Sequence, residues 1–413
     1  MNNLYMSKRI KVLLAATGIN IVSGLLYIWS VISKNLISEL NWTSKEASLP
    51  YTVATITMVI SMVVLGKVQD NKGPRFTSTI GSLLLGTGFI LSGFIKSPIT
   101  IVFTFGIMTG SGMGILNLST ISTPPAWFSP SKKGLITGIV AAGIGFSAVL
   151  YSPLSNYMIN TLGSSKTFMY IGLSTLLITC LLSQFLHMPP RGYVVINYSE
   201  DQRVNPCNSA RDFTWREMLM TADFYKLWIM FAFSASAGLM IISHVTNIAH
   251  AQISWEGGFL LVIILAIFNT LGRFLGGSVS DKIGRVSLMR SIFTIQGINM
   301  FLFFRYVSVP VLGIGVAIAG LCYGATFSVF PVTCSDYYGA KNFGLNYSLL
   351  FTGWGFGGII GPMTAAYIFD LTGRYNLAYI TASILLLLSL LITYSIKPSL
   401  ITTKDSSSLF GDL

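Results

Sequence analysis

Charge is scarce in this chain. Lysine, arginine, aspartate and glutamate make up 10% of its 413 residues, against roughly 25% in a soluble domain. That deficit excludes an ordinary water-soluble globule. Histidine and cysteine are scarcer still, with three and four copies. The cysteines (Cys180, Cys207, Cys322, Cys334) show no metal-ligand spacing, and three lie in or at the ends of apolar runs. Neither a disulfide framework nor a metal centre is expected. The 14 acidic residues avoid the apolar runs, and none lies well inside one. No intramembrane acid pair, metal cluster or serine–histidine arrangement stands out, so neither an enzyme nor a bound cofactor is expected.

What is abundant is hydrocarbon: 52% of the residues are hydrophobic. A bilayer requires about 20 apolar residues per helical span. Twelve such runs are present, near 11–33, 47–66, 76–95, 99–122, 134–159, 167–187, 224–248, 257–280, 287–307, 309–333, 344–369 and 376–396. The reading is an all-α membrane protein with twelve transmembrane helices. The first run follows a short basic stretch, but it is too long for a signal peptide and lacks a small-residue cleavage pattern, which implies a retained helix.

The formal charge of +12 could suggest a nucleic-acid partner. Topology explains it better. With an inside N-terminus, nineteen of the 26 lysines and arginines fall on inside segments, six fall outside, and Arg273 is left in a span. Inside loops are enriched in positive charge, so both termini are expected in the cytoplasm, the membrane is taken as the plasma membrane, and no nucleic acid is expected. The partners implied are lipid and a small solute, bound by a monomer.

The chain also repeats itself. "GKVQDNKGPR" (66–75) follows the second span and "GSVSDKIGR" (277–285) the eighth; Gly66, Asp70 and Gly73 match Gly277, Asp281 and Gly284 at an offset of 211. "GLITGIVAAGIGF" from Gly134 and "GLNYSLLFTGWGF" from Gly344 agree at an offset of 210. Two independent matches at nearly one offset imply two pseudo-symmetric six-helix bundles in parallel. They divide as residues 1–187 and 224–413, with a polar cytoplasmic linker at 188–223.

That layout, with the G-x-x-x-D-x-x-G-x-R loop at Gly66, Asp70, Gly73 and Arg75, resembles the major facilitator superfamily of transporters. The resemblance implies a charge latch at these loops, carried by Asp70, Arg75, Asp281 and Arg285. The alternative is plain topology with turn glycines.

Arg273 lies in the eighth run. At helical spacing its face reads Val262, Ala266, Asn269, Thr270, Arg273, Gly276, Gly277 and Ser280, while Ile264, Ile267, Phe268, Leu271, Phe274 and Leu275 face the other way. A charged residue at mid-bilayer costs about 2.5–3.5 kcal/mol on insertion scales. With no acid in the spans, the counter-group must be water, backbone carbonyls or an anionic ligand. Guanidinium matches a carboxylate in two parallel hydrogen bonds. Other small or polar stripes hold Tyr27 in span one, Asn117 in span four, Tyr323 in span ten, and Phe351 with Trp354 in span eleven. Each could line a cavity or simply pack helices. His244, in span seven, could carry a proton.

"SGLLYIWSV", "AWFSPSKKGLITG", "DFTWREMLMTADFYKLW", "FNTLGRFLGGSVSDKIGR" and "NYSLLFTGWGFGGIIGP" together resemble the oxalate–formate antiporter family, related to the monocarboxylate transporters. The resemblance implies a substrate carboxylate on Arg273, with Asn269, Tyr27 and Tyr323 beside it. The oxalate exchanger has a lysine where Trp354 stands, glutamines where Leu26 and Thr55 stand, and a tyrosine where Asn117 stands. One cation instead of two argues for a monoanion such as lactate, pyruvate, formate or acetate. Exchange is the expected mechanism, with proton symport, an oxalate-type exchanger and a non-transporting anion sensor as alternatives.

Overall fold

The structure is a computed structural model that describes residues 2–42, 44–95, 97–190, 212–255 and 257–396. The described residues form helices joined by turns and short irregular stretches, because a backbone in lipid must satisfy its own hydrogen bonds. Among the described residues, ten helices are long and apolar enough to cross a membrane. The remaining two spans fall short for local reasons. Span one starts as Asn2–Ser23, with Lys8, Arg9 and Lys11 near its start, breaks at Gly24 into the tight turn Leu25–Ile28, and resumes as Trp29–Leu40. Span three, Pro74–Ser92, is rich in glycine, serine and threonine. The other ten spans begin with Ser44–Lys72 (span two) and Pro98–Ser122 (span four), the latter π-helical over Val102–Thr109. Lys133–Leu162 and Ser164–Ser183 are spans five and six. The second bundle is Ala222–Ile253, Gly258–Ile283, Arg285–Leu302, Val309–Tyr338, Phe343–Thr372 and Asn376–Thr393. This is the twelve-helix, two-bundle architecture expected.

Span eight turns its apolar side outward. Ile267, Phe268, Leu271, Phe274 and Leu275 are exposed, whereas Asn269 and Arg273 are each 1% exposed. Val262, placed on the inward stripe by periodicity, is exposed; Leu261 and Leu265 take the buried positions in that turn.

Small residues set how closely the spans approach. A Cβ on Gly272 would meet the Leu321 carbonyl, one on Gly276 the Cα of Ala325, and one on Gly324 the Asn269 carbonyl. Spans eight and ten thus cross almost backbone to backbone. The two bundles meet along two similar seams. Span five packs on span eight, where Gly134 and Gly277 face each other and Gly138 lies under the Arg273 carbonyl. Span two packs on span eleven, where Gly66 faces Gly344 and Leu345. Both tight contacts lie at the end of the molecule that carries the repeated loops, called here the motif side.

A Cβ at Gly66 would stand 2.8 Å from the Leu345 Cα, which cannot retreat. Gly66→Val should therefore wedge the motif side open. Overpacking costs about 1–3 kcal/mol, enough to shift an open–closed balance roughly tenfold or more. The check is the alkylation rate of a cysteine placed at Thr137, a buried position bordering the motif-side cavity, in a cysteine-free background.

Candidate functional site

Arg273 is held by groups from spans five, eight and ten. Its Nε donates to Asn269 Oδ1 at 3.1 Å, one turn back on the same helix. Its Nη1 donates to the Ala141 carbonyl of span five at 3.1 Å. The guanidinium carbon lies 4.3 Å from the centre of the Phe327 ring. The Arg273 carbonyl accepts the Ser328 hydroxyl. A buried charge therefore bonds to a side-chain oxygen of its own helix and to a backbone carbonyl of the opposite bundle. A neutral oxygen stabilises a cation but does not cancel its charge.

Phe327 belongs to an aromatic wall. Tyr323 is 5.1 Å from it and Trp354 is 6.0 Å away, centre to centre. Trp354 stacks on Phe351 at 4.9 Å, and its indole N–H donates to the Tyr323 hydroxyl at 3.0 Å. Tyr323, Phe351 and Trp354 are all buried. Three residues chosen from two sequence stripes are thus brought together around the arginine's π partner.

The span that carries Asn117 is linked to this region by hydrogen bonds. Thr120, one turn along span four, donates to Asn20 Oδ1 at 2.8 Å, and Asn20 Nδ2 donates to the Val140 carbonyl at 2.9 Å. Val140 adjoins the Ala141 that receives Arg273. Asn117 is 4% exposed, yet neither its Oδ1 nor its Nδ2 has a hydrogen-bond partner among the described residues. An unsatisfied buried amide costs about 1–3 kcal/mol per group, so such a group marks a place for a ligand or water. Tyr347 repeats the pattern. Its hydroxyl is buried without a partner among the described residues, and its ring lies 5.8 Å from that of Phe351. Its place on the stripe with Phe351 and Trp354 was the available signal.

No hydrogen bond or ring contact among the described residues ties Thr55 or His244 to this cluster. Thr55 donates to the Tyr51 carbonyl of its own helix. Tyr27 lies in the turn after Gly24, and its side chain is outside the described set. His244 Nε2 is 3.1 Å from the Pro362 carbonyl of span eleven, and its Nδ1 is buried without a partner among the described residues.

On the motif side the two sequence repeats turn out to be partners. Asp70 accepts the backbone N–H groups of Gly344 and Leu345, at 2.8 and 3.1 Å. Asp281 accepts those of Gly134 and Leu135, at 2.9 and 2.7 Å. Each acid grips the first turn of a helix in the opposite bundle, where the helix dipole favours negative charge. The glycines that follow, Gly73 and Gly284, have φ of 84° and 88°, a turn that excludes most side chains. The two latches differ in support. Arg285 donates to Asp281 at 2.6 Å and to Asp336 at 3.1 Å, and Lys133 lies 3.6 Å from Asp336. Arg75 is exposed and donates to Gln184. Gln69, Asp70, Lys133, Thr137 and Lys341 border an inter-bundle cavity of about 110 Å³ beside the latches.

The family model described as "Major Facilitator Superfamily" matches residues 12–247 and 230–409. The chain is 27% identical over 355 residues to the oxalate:formate antiporter of Oxalobacter formigenes, covering 83% of this chain and 82% of that one. It is 24% identical over 343 residues to monocarboxylate transporter 13 of Rattus norvegicus, covering 78% and 73%. Among solved structures, the Escherichia coli fucose:proton symporter FucP superposes with a TM-score of 0.68 at 12% identity, covering 94% and 99%.

Proposed function

This chain belongs to the major facilitator superfamily of membrane transporters, and from that premise we propose that it carries small monocarboxylate anions by alternating access. One observation carries the reading: Arg273, 1% exposed, holds neutral oxygens from both bundles. A carboxylate can displace the neutral Ala141 carbonyl and meet the guanidinium in two parallel, ion-paired hydrogen bonds. Asn117 supplies an amide from the first bundle. The wall of Trp354, Phe351 and Phe327 suits a small apolar end. The resemblance to an oxalate:formate antiporter and a monocarboxylate transporter supports the same substrate class.

Binding at Arg273 also changes an inter-bundle bond, which couples occupancy to movement. With the motif side latched, solute reaches Arg273 from the opposite side. The excess of basic residues on the motif side supports its being cytoplasmic.

Exchange follows from charge. An empty carrier that reorients must keep the Arg273 cation away from water, and a bound anion lowers that cost. Vesicles preloaded with unlabelled lactate should take up labelled lactate about tenfold faster or more than vesicles without anion, a decade corresponding to about 1.4 kcal/mol. Equal initial rates would overturn exchange. The second reading, proton symport, rests on the partnerless Nδ1 of His244. It requires that uptake follow an imposed pH gradient and that His244→Ala remove that dependence.

A further inference from the structure

Both ends of the segment that joins the bundles are tied to the loops that the latch acids grip. At the far end, the Phe213 N–H donates to the Tyr338 carbonyl at 3.0 Å. The Phe213 carbonyl accepts Nδ2 of both Asn342 and Asn346, each at 3.0 Å. Asp212 accepts the Lys341 N–H at 3.2 Å and fills the space where Gly339, at φ 81°, would otherwise carry a Cβ. The Tyr338 hydroxyl lies 3.1 Å from that of Thr221. This stretch is itself fixed by a capping box, in which Thr214 and Glu217 bond reciprocally. It therefore stitches both sides of the turn between spans ten and eleven. Immediately after that turn come Gly344 and Leu345, whose amides hold Asp70.

The near end, which in the structure begins where span six stops at Ser183, does the same for the other latch. The His187 carbonyl accepts the Trp127 indole N–H at 2.7 Å, and the two rings meet edge to face at 5.5 Å. Trp127 is 1% exposed and closes the turn Pro124–Trp127. The chain then enters span five, where Gly134 and Leu135 hold Asp281.

We propose that the two ends of the inter-bundle linker are positioning elements of the motif-side gate, each aligning the amide pair that one latch acid needs. Force or binding on the linker would then open the gate without touching the solute site. The proposal stands whichever anion is carried. Packing alone would also explain the bonds, but packing predicts no selectivity between latches.

Double-mutant cycles in the full-length protein in liposomes separate the two, read by alkylation of cysteine at Thr137 in a cysteine-free background. Asn342→Ala with Asn346→Ala is expected to raise the alkylation rate about tenfold alone. It should add little on top of Asp70→Asn and act fully on top of Asp281→Asn. Trp127→Phe, which keeps the ring and removes the N–H, should show the reverse pattern. No rise in the single-end variants, or equal additivity with both acids, overturns the proposal. If the paired asparagine variant does not fold, Asn342→Ala alone, at a half-buried position, should give the same pattern at smaller amplitude. Hydrogen exchange at Gly344 and Leu345 provides a second reading, faster at an unchanged melting temperature.

Discussion

Arg273→Ala is expected to abolish carboxylate binding and uptake while the protein still inserts and folds. Two charge-assisted hydrogen bonds to a carboxylate contribute about 1.5–3 kcal/mol each, so affinity should fall by roughly 10²–10⁴-fold. Stability should suffer much less. Alanine removes a buried charge whose membrane cost is itself about 2.5–3.5 kcal/mol, although it strands Asn269 Oδ1 and the Ala141 carbonyl. Arg273→Lys keeps the charge but not the planar fork, and should fall between the two. The measurement is the melting temperature of purified protein across formate, acetate, lactate, pyruvate and oxalate. A ligand at a hundred times its dissociation constant stabilises the folded state by about 2.7 kcal/mol. The wild type should respond to the monoanions and Arg273→Ala to none. An equal response from the variant would place the anion elsewhere.

How far the sequence led can be seen residue by residue. The orientation of Arg273 was legible because helical periodicity puts Asn269 one turn away, and that bond is present. Its other acceptor was not, because the Ala141 carbonyl is a backbone group with no side-chain signature. The repeats were found as likenesses at offsets of 210 and 211. That Asp70 binds the second copy of the Gly–Leu pair, and Asp281 the first, depends on bundle packing across 274 and 147 residues. Sequence symmetry also suggested equal latches, yet Arg285 bridges two acids while Arg75 turns to Gln184. Asp336 supports the Arg285 bridge, and the position 210 residues earlier is Ala126. Asn117 could be placed on a stripe, but its lack of partners follows from what the neighbouring spans bring near it.

Trp354→Lys should convert the preference from monoanions to a dianion. Trp354 is 7% exposed, bonded to Tyr323 and stacked on Phe351, and it shares the Phe327 ring with Arg273. A lysine there puts a second cation into the same desolvated wall. Left unpaired, the amine either loses its proton or carries the cost of a buried charge. A monocarboxylate cancels only one of the two cations. Oxalate can cancel both. Leaving one member of a buried ion pair without its partner costs about 3–5 kcal/mol, so the ratio of oxalate to lactate transport should rise by roughly 10²–10⁴-fold. Trp354→Phe, which keeps an aromatic surface and adds no charge, should still carry lactate. Counterflow of labelled oxalate and labelled lactate in the same liposomes reads the ratio directly. A Trp354→Lys protein that retains lactate transport and gains no oxalate would mean that span eleven does not face the bound anion. The aromatic wall would then be packing rather than a selectivity surface.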